Sequence, residues 1–287
     1  MLRDSMHAPR LPKSLDGATE YLKYRKKSFL SGVFKCVAEY KQFHIAKSSL
    51  QQNYPKGDGH PVLVIPAFTS NDWPTSPLRR ALKRQGYKAY AWKGGLNLGI
   101  TEETMKHVHT RLKKIYEENG NRKVTIIGHS LGGFYARALA QEFPEMVRAV
   151  VTIHTPFGVG LHKDVIPPQV IKKIQDLSDP KYSLENGDVT ERLLTPPPVP
   201  TTSIFSKIDA VAGWQACLNP LTRLSENIEV QASHLGSVWH KGTIEVILDR
   251  LAQPEGKWKP HKNPANDVGP ANPNWKLSPF KSFFPKR

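Results

Sequence analysis

Between residues 61 and 155, short apolar runs alternate with longer stretches of helical period. Val62-Leu63-Val64-Ile65 is continuously apolar, as expected of a strand buried on both faces of a parallel sheet. Thr75 to Gln85 has helical spacing and ends at Gly86, and Tyr87 to Trp92 is strand-like. Thr101 reads as an N-cap, and Glu102 and Glu103 suit the dipole of a helix that runs to Glu118 and stops at Asn119-Gly120. Val124 to Ile127 is a second buried strand, followed by a helix from Leu131 to about Phe143 and a strand from Val147 to Ile153. This alternation predicts an α/β fold with a mostly parallel, doubly wound sheet and right-handed crossovers.

Residues 156–199 interrupt the pattern, bracketed by Pro167-Pro168 and Pro196-Pro197-Pro198. It resumes with strands at Thr202–Phe205 and Ile228–Gln231 and a closing helix from about Gly242 to Leu251. Ahead of the sheet, Ser28 to Gln51 spaces Phe29, Leu30, Val33, Phe34, Val37, Tyr40, Phe43 and Ile45 as one amphipathic helix. Packing on the main body is the first expectation for it. Lys26, Lys27, Lys35 and Lys41 interleave with its apolar residues, so a place on a lipid surface is the second. The predicted organisation is a basic N-terminal arm and helix (1–60), a catalytic domain (61–253) with a lid or cap insertion (156–199), and a basic Pro/Asn-rich tail (254–287).

At 287 residues, 39% hydrophobic and 23% charged, the composition is globular rather than disordered or coiled-coil. Two cysteines, Cys36 and Cys217, exclude a disulfide framework and a Cys-rich zinc site, and leave a single bridge open. No 18-residue apolar stretch is present and Met1 to Lys27 lacks an apolar signal core, so the expected location is cytoplasmic, with membrane association as the variant. The net charge of +16 gathers at the ends: 11 Lys/Arg against 5 Asp/Glu in residues 1–60, and 7 against 2 in 254–287. Such ends suit an anionic membrane surface or, less readily, a nucleic acid; the plainer reading is a solvated surface that aids solubility.

The chemistry sits in Gly128-His129-Ser130-Leu131-Gly132-Gly133, a G-x-S-x-G motif between a buried strand and a helix. That context is the one a nucleophile elbow requires. The sharp turn forces the serine into a strained conformation and projects it from the sheet edge, and close chain approach demands small residues two positions to either side. A serine hydroxyl needs a general base, and the base an orienting carboxylate. With the order Ser, acid, His and positions after successive strands, Ser130, Asp209 and His234 are the candidate triad. His240, His129 and His154 compete for the base, His154 lying too early in the chain. Asp164, Asp176, Asp179 and Glu226 compete for the acid. Candidate oxyanion donors are the backbone N–H groups of Leu131 and Phe68, with Thr69 behind Phe68. Trp73, His129, Phe157 and Trp214 are candidate substrate-binding residues, with Val159, Leu161, Ile166 and Val170 as further apolar walls; for these residues a core role is equally open. His107 and His109 diverge on their helix and do not share a metal, and Gly94 to Gly99 has the wrong spacing for a dinucleotide loop.

Val62 to Phe68, Gly128 to Gly133, Ser206-Lys207-Ile208-Asp209, Gly213-Trp214-Gln215 and Ser233-His234-Leu235-Gly236 together resemble the α/β-hydrolase superfamily, specifically its bacterial lipase/esterase-like members. The resemblance covers about 61–253 and departs at Ala67, where glycine is usual. It implies a carboxylic ester hydrolase working through an acyl-enzyme on a small-molecule or lipid ester, with no metal and no cofactor. Acyltransferase, thioesterase or amidase chemistry on the same triad is the alternative, and a binding protein with a vestigial site the remote one. The ordinary histidine pKa predicts activity falling as pH drops through roughly 6.5.

Overall fold

Among the described residues, six strands form one sheet: β1 Pro61–Ile65, β2 Lys88–Ala91, β3 Val124–His129, β4 Val147–Ile153, β5 Thr201–Phe205 and β6 Ser225–Glu229. They lie in the order β2-β1-β3-β4-β5-β6, and every neighbouring pair is parallel. The computed structural model describes residues 34–43, 54–158, 166–183 and 186–261. Its helices are α1 (34–43), α2 Ser76–Gln85, α3 Glu102–Glu118, α4 Leu131–Glu142, α5 Pro168–Asp176, α6 Gly187–Leu194 and α7 Lys241–Leu251.

The continuous apolar runs are explained by burial on both faces. Leu63, Ile65 and Ile126 pack with residues of α3 and α4, including Leu112, Phe134 and Leu139. Their neighbours Val62, Val64 and Ile127 pack on the other face with Leu78 and Leu82 of α2, Ile244 and Ile247 of α7, and Phe43 of α1. The period-2 alternation of strand side chains thus sorts one run into two cores. Thr101 caps α3 as expected, in a reciprocal pair with Thr104.

The chain winds outward from β1 in both directions, through β2 on one side and β3 on the other. This reversal leaves a crevice beyond the carboxyl ends of β1 and β3, the place where open α/β sheets bind ligands. The loop 66–75 follows β1 and Ser130 follows β3, so both reach that crevice.

One strand sits elsewhere than its hydropathy suggested. β6 starts at Ser225 and ends at Glu229, because its polar half is buried with partners. Ser225 donates to the Pro220 carbonyl (2.6 Å), Asn227 donates to that of Asn219 (3.0 Å), and Glu226 accepts from Thr202 and Arg250 (2.6 and 3.1 Å). Hydrogen bonding hides such a strand from an apolar pattern.

Residues 156–199 hold α5, a short 3-10 turn at Pro180–Tyr182, and α6. Arg137 of α4, fully buried, clamps their return by donating to the carbonyls of Leu193, Leu194 and Thr195. Val159, Leu161 and Asp164 lie outside the described residues, as do the arm to residue 33, the rest of the expected N-terminal helix and the tail beyond 261. Cys36 and Cys217 are both free thiols. Among the described residues no helix is long and apolar enough to cross a membrane.

Candidate active site

Ser130 stands between β3 and α4 with φ 50° and ψ −118°, a left-handed backbone that side chains rarely adopt. The conformation is held by its surroundings. Its N–H donates to the Ile153 carbonyl of β4 (2.8 Å), and its carbonyl accepts from Gly133 (2.9 Å). A methyl group on Gly128 would strike the Gly132 backbone, and one on Gly132 would strike the Ile65 and Pro66 carbonyls. At Gly133 it would enter the Thr155 side chain. The three glycines are therefore space requirements of the turn.

His234 lies five residues past β6, and its Nε2 is 3.1 Å from Ser130 Oγ. Its Nδ1 is 2.7 Å from Asp209 Oδ2, and Asp209 lies just after β5. The other carboxylate oxygen, Oδ1, accepts the backbone N–H groups of Val211 and Ala212 at 2.7 and 2.9 Å. Burial alone would raise the Asp209 pKa, but the His234 and His154 rings beside it and the His234 hydrogen bond pull it far below the usual carboxylate range. Ser130, His234 and Asp209 thus form one hydrogen-bonded series from hydroxyl to buried anion.

His154, set aside in the sequence because it precedes Asp209, ends β4 beside the same carboxylate. Its Nδ1 is 2.7 Å from Asp209 Oδ2, at ion-pair distance but without the alignment of a hydrogen bond. It is fully buried and has φ 50°. His154, Asp209 and His234 bring their potential ligand atoms within 4.8 Å of one another, the set that would face a metal ion here. His129 is buried, and its Nε2 donates to the His234 carbonyl (2.9 Å). Burial, reinforced by His234, draws the His129 pKa down to about 3, so this ring is a neutral brace for the loop.

The other competitors are occupied elsewhere. His240 caps α7, accepting from Thr243. Glu226 pairs with Arg250, Asp176 pairs with Lys172, and Asp179 accepts the Glu102 N–H at the start of α3.

In the loop after β1, the Thr69 N–H donates to the Asn97 carbonyl (2.7 Å) and is spent. No acceptor among the described residues takes the Phe68 N–H. Leu131 opens α4, where a helix leaves its N–H without an internal acceptor. Asn97, which sequence reasoning passed over inside a Gly-rich connector, braces this loop. It is fully buried, donates from Nδ2 to the Pro66 carbonyl (2.8 Å), and accepts from Tyr135 at Oδ1 (3.1 Å). A lone polar residue between Leu96 and Leu98 was its faint signal.

The expected substrate-binding residues separate. Trp73 is 71% exposed on the loop after β1. Trp214 is partly buried and stacked on Phe205. Phe157 is fully buried under the Arg137 guanidinium, 3.9 Å from its ring centre, and offers no surface to a ligand. Ile166 is buried and Val170 partly so. A separate small apolar recess is lined by Ile100, Met105, Phe134, Tyr182, Val189 and Leu193, with others.

Residues 61–186 match the α/β hydrolase fold family. Among solved structures, the chain is similar to Aspergillus fumigatus lipase B, with 14% identity and a TM-score of 0.54 over 71% of this chain and 56% of that one. It is also similar to Bacillus licheniformis lipase BlEst2 in mature form, with 14% identity and a TM-score of 0.51 over 69% and 94%. A structure from the metagenome-derived lipolytic enzymes LipS and LipT aligns with 18% identity and a TM-score of 0.50 over 69% and 93%. A stretch of 68 residues, 23% of this chain, is 31% identical to the uncharacterized protein YJR098C of Saccharomyces cerevisiae and spans 10% of that protein's length. With its parallel six-stranded sheet, its strand-turn-helix at Ser130 and this match over residues 61–186, the chain has the α/β-hydrolase fold.

Proposed function

We propose that the protein is a serine hydrolase that cleaves carboxylic esters through an acyl-enzyme. The observation that carries the reading is the hydrogen-bonded series Ser130–His234–Asp209, with 3.1 and 2.7 Å between successive partners. His234 takes the Ser130 proton as Oγ attacks the ester carbonyl, and the oxyanion that forms accepts the Phe68 and Leu131 N–H groups. His234 then protonates the leaving alcohol, and a water activated by the same ring releases the acyl group. Asp209 fixes the tautomer with Nδ1 protonated and stabilises the imidazolium.

An acyl or aromatic ester of low charge suits the surroundings. Leu235 follows the base and is 47% exposed, and Trp73 presents its indole from the loop after β1. The test is reaction with a fluorophosphonate followed by peptide mass mapping. Labelling is expected on Ser130, absent in Ser130→Ala and slowed at least 100-fold in His234→Ala. Equal labelling of wild type and His234→Ala would remove the base from the account.

A further inference from the structure

Helix α1 lies outside the segment that matches the family, yet it sends a carboxylate into the loop that carries His234. Glu39 is buried, 6% exposed. Its Oε1 accepts the backbone N–H of Ser233 (2.7 Å), and its Oε2 accepts the Ser233 hydroxyl. The Ser233 Oγ in turn accepts the Gly236 N–H (3.1 Å). Gly236 is shaped to this contact: a methyl group there would collide with Glu39 Oε2. Four residues, Ser233 to Gly236, are thereby tied to one carboxylate, and His234 is among them.

The carboxylate is not needed to dock the helix. Phe43 enters the core beside Val238, and Tyr40 meets Trp239 edge-on at 5.0 Å. No Lys or Arg pairs with Glu39 among the described residues, and both of its carboxylate oxygens accept from Ser233. An uncompensated carboxylate is costly to bury, and an apolar side chain would fill the site more cheaply. A hydrogen-bond acceptor kept there, aimed at the residue before the proposed base, does something that packing does not.

We infer that Glu39 is a positioning residue for His234, acting through Ser233. The inference rests on the reading of His234 as general base. The His234 loop is then braced on three sides: Glu39 holds Ser233, His129 and Ser237 donate to the His234 carbonyl, and Asp209 holds the ring. Nothing in the G-x-S-x-G segment encodes the first brace, because it comes from a helix 194 residues earlier in the chain.

The experiment uses the full chain and p-nitrophenyl butyrate, with sites counted by fluorophosphonate carried to completion. Turnover per counted site separates misplacement of the base from loss of folded protein. Glu39→Ala is expected to lower kcat per site by about 10–100-fold, with KM within about twofold, the scale of an ångström-level misplacement. Glu39→Gln, which keeps an acceptor for the Ser233 N–H, is expected to recover most of it. Phe43→Ala is expected to lower the melting temperature and leave turnover per site unchanged. Should Glu39→Ala fail to fold, Ser233→Ala tests the hydroxyl half of the contact, with a fall of about 3–10-fold expected for one lost hydrogen bond to a charged group. Wild-type turnover per site in Glu39→Ala, or in Ser233→Ala where that variant stands in, overturns the inference. Ser130→Ala and His234→Ala run alongside. Retained turnover in either would instead overturn the parent reading.

Discussion

At Asp209 two imidazoles and two backbone amides converge on one carboxylate, and that convergence sets its chemistry. The charge is buried, but the His234 ring and two backbone amides donate to it and the His154 ring stands beside it, so the carboxylate stays ionised where an isolated one would be neutralised. Asp209→Asn keeps the shape and reverses the tautomer demanded of His234. A fall in kcat of roughly 10⁴-fold is expected, with little change in fluorophosphonate-accessible fold. Steady-state kinetics on a soluble ester would check it, and a loss under tenfold would mean that Asp209 does not orient the base. The placement of Ser130 and Asp209 after strand ends was legible in the sequence, Ser130 from the apolar run before it and Asp209 from the strand at Thr202–Phe205. His154 was not, since chain order alone removed it, and only the sheet brings the ends of β4 and β5 side by side.

The turn from β3 to α4 is where backbone geometry becomes reactivity. Gly128, Gly132 and Gly133 were readable as a spacing, and each proves to face backbone or a buried side chain within van der Waals reach. Gly132→Ala would push a methyl into the Ile65 and Pro66 carbonyls at the start of the loop after β1. It is expected to destabilise the fold by about 2–4 kcal/mol, as overpacking beside fixed backbone does, measurable by urea unfolding. A variant as stable as wild type would show that the turn has slack. The strand β6 illustrates what a hydropathy pattern misses: Ser225, Glu226 and Asn227 are buried because their partners arrive from Pro220, Thr202, Arg250 and Asn219. Those partners are assembled by the tertiary fold, and no local period announces them. The same holds for Asn97, whose role depends on a loop 31 residues away.

Across the whole molecule, several groups are held in protonation states that the unfolded chain would not keep. Burial lowers the His60 pKa to about 4 and that of His129 to about 3. Both are depressed below the ordinary value of 6.5, so below that pH the unfolded chain binds protons that the folded one refuses. Stability is therefore full above about pH 6.5 and declines as pH falls towards 4, each group contributing about 1.4 kcal/mol per pH unit in that window. Asp58, lowered to about 2 by its hydrogen bonds to His60 against a partial desolvation that opposes them, extends the decline in the same direction below pH 4. Urea unfolding at pH 8, 6 and 5 should show it, and His60→Gln should flatten the slope by about one proton. A stability independent of pH over that range would contradict the burial of these rings as neutral groups. At this scale the alternation of strand and helix gave the sheet and its crevice, whereas the coupling of α1 to the His234 loop rests on contacts between distant parts of the chain.

The most direct test of the account is hydrolysis of p-nitrophenyl esters from acetate to palmitate by wild type and Ser130→Ala, side by side. Wild type is expected to turn over, with a chain-length optimum that sizes the acyl site, while Ser130→Ala falls by at least about 10³-fold. Hydrolysis that persists unchanged in Ser130→Ala would contradict the assignment of Ser130 as nucleophile and with it the ester-hydrolase mechanism.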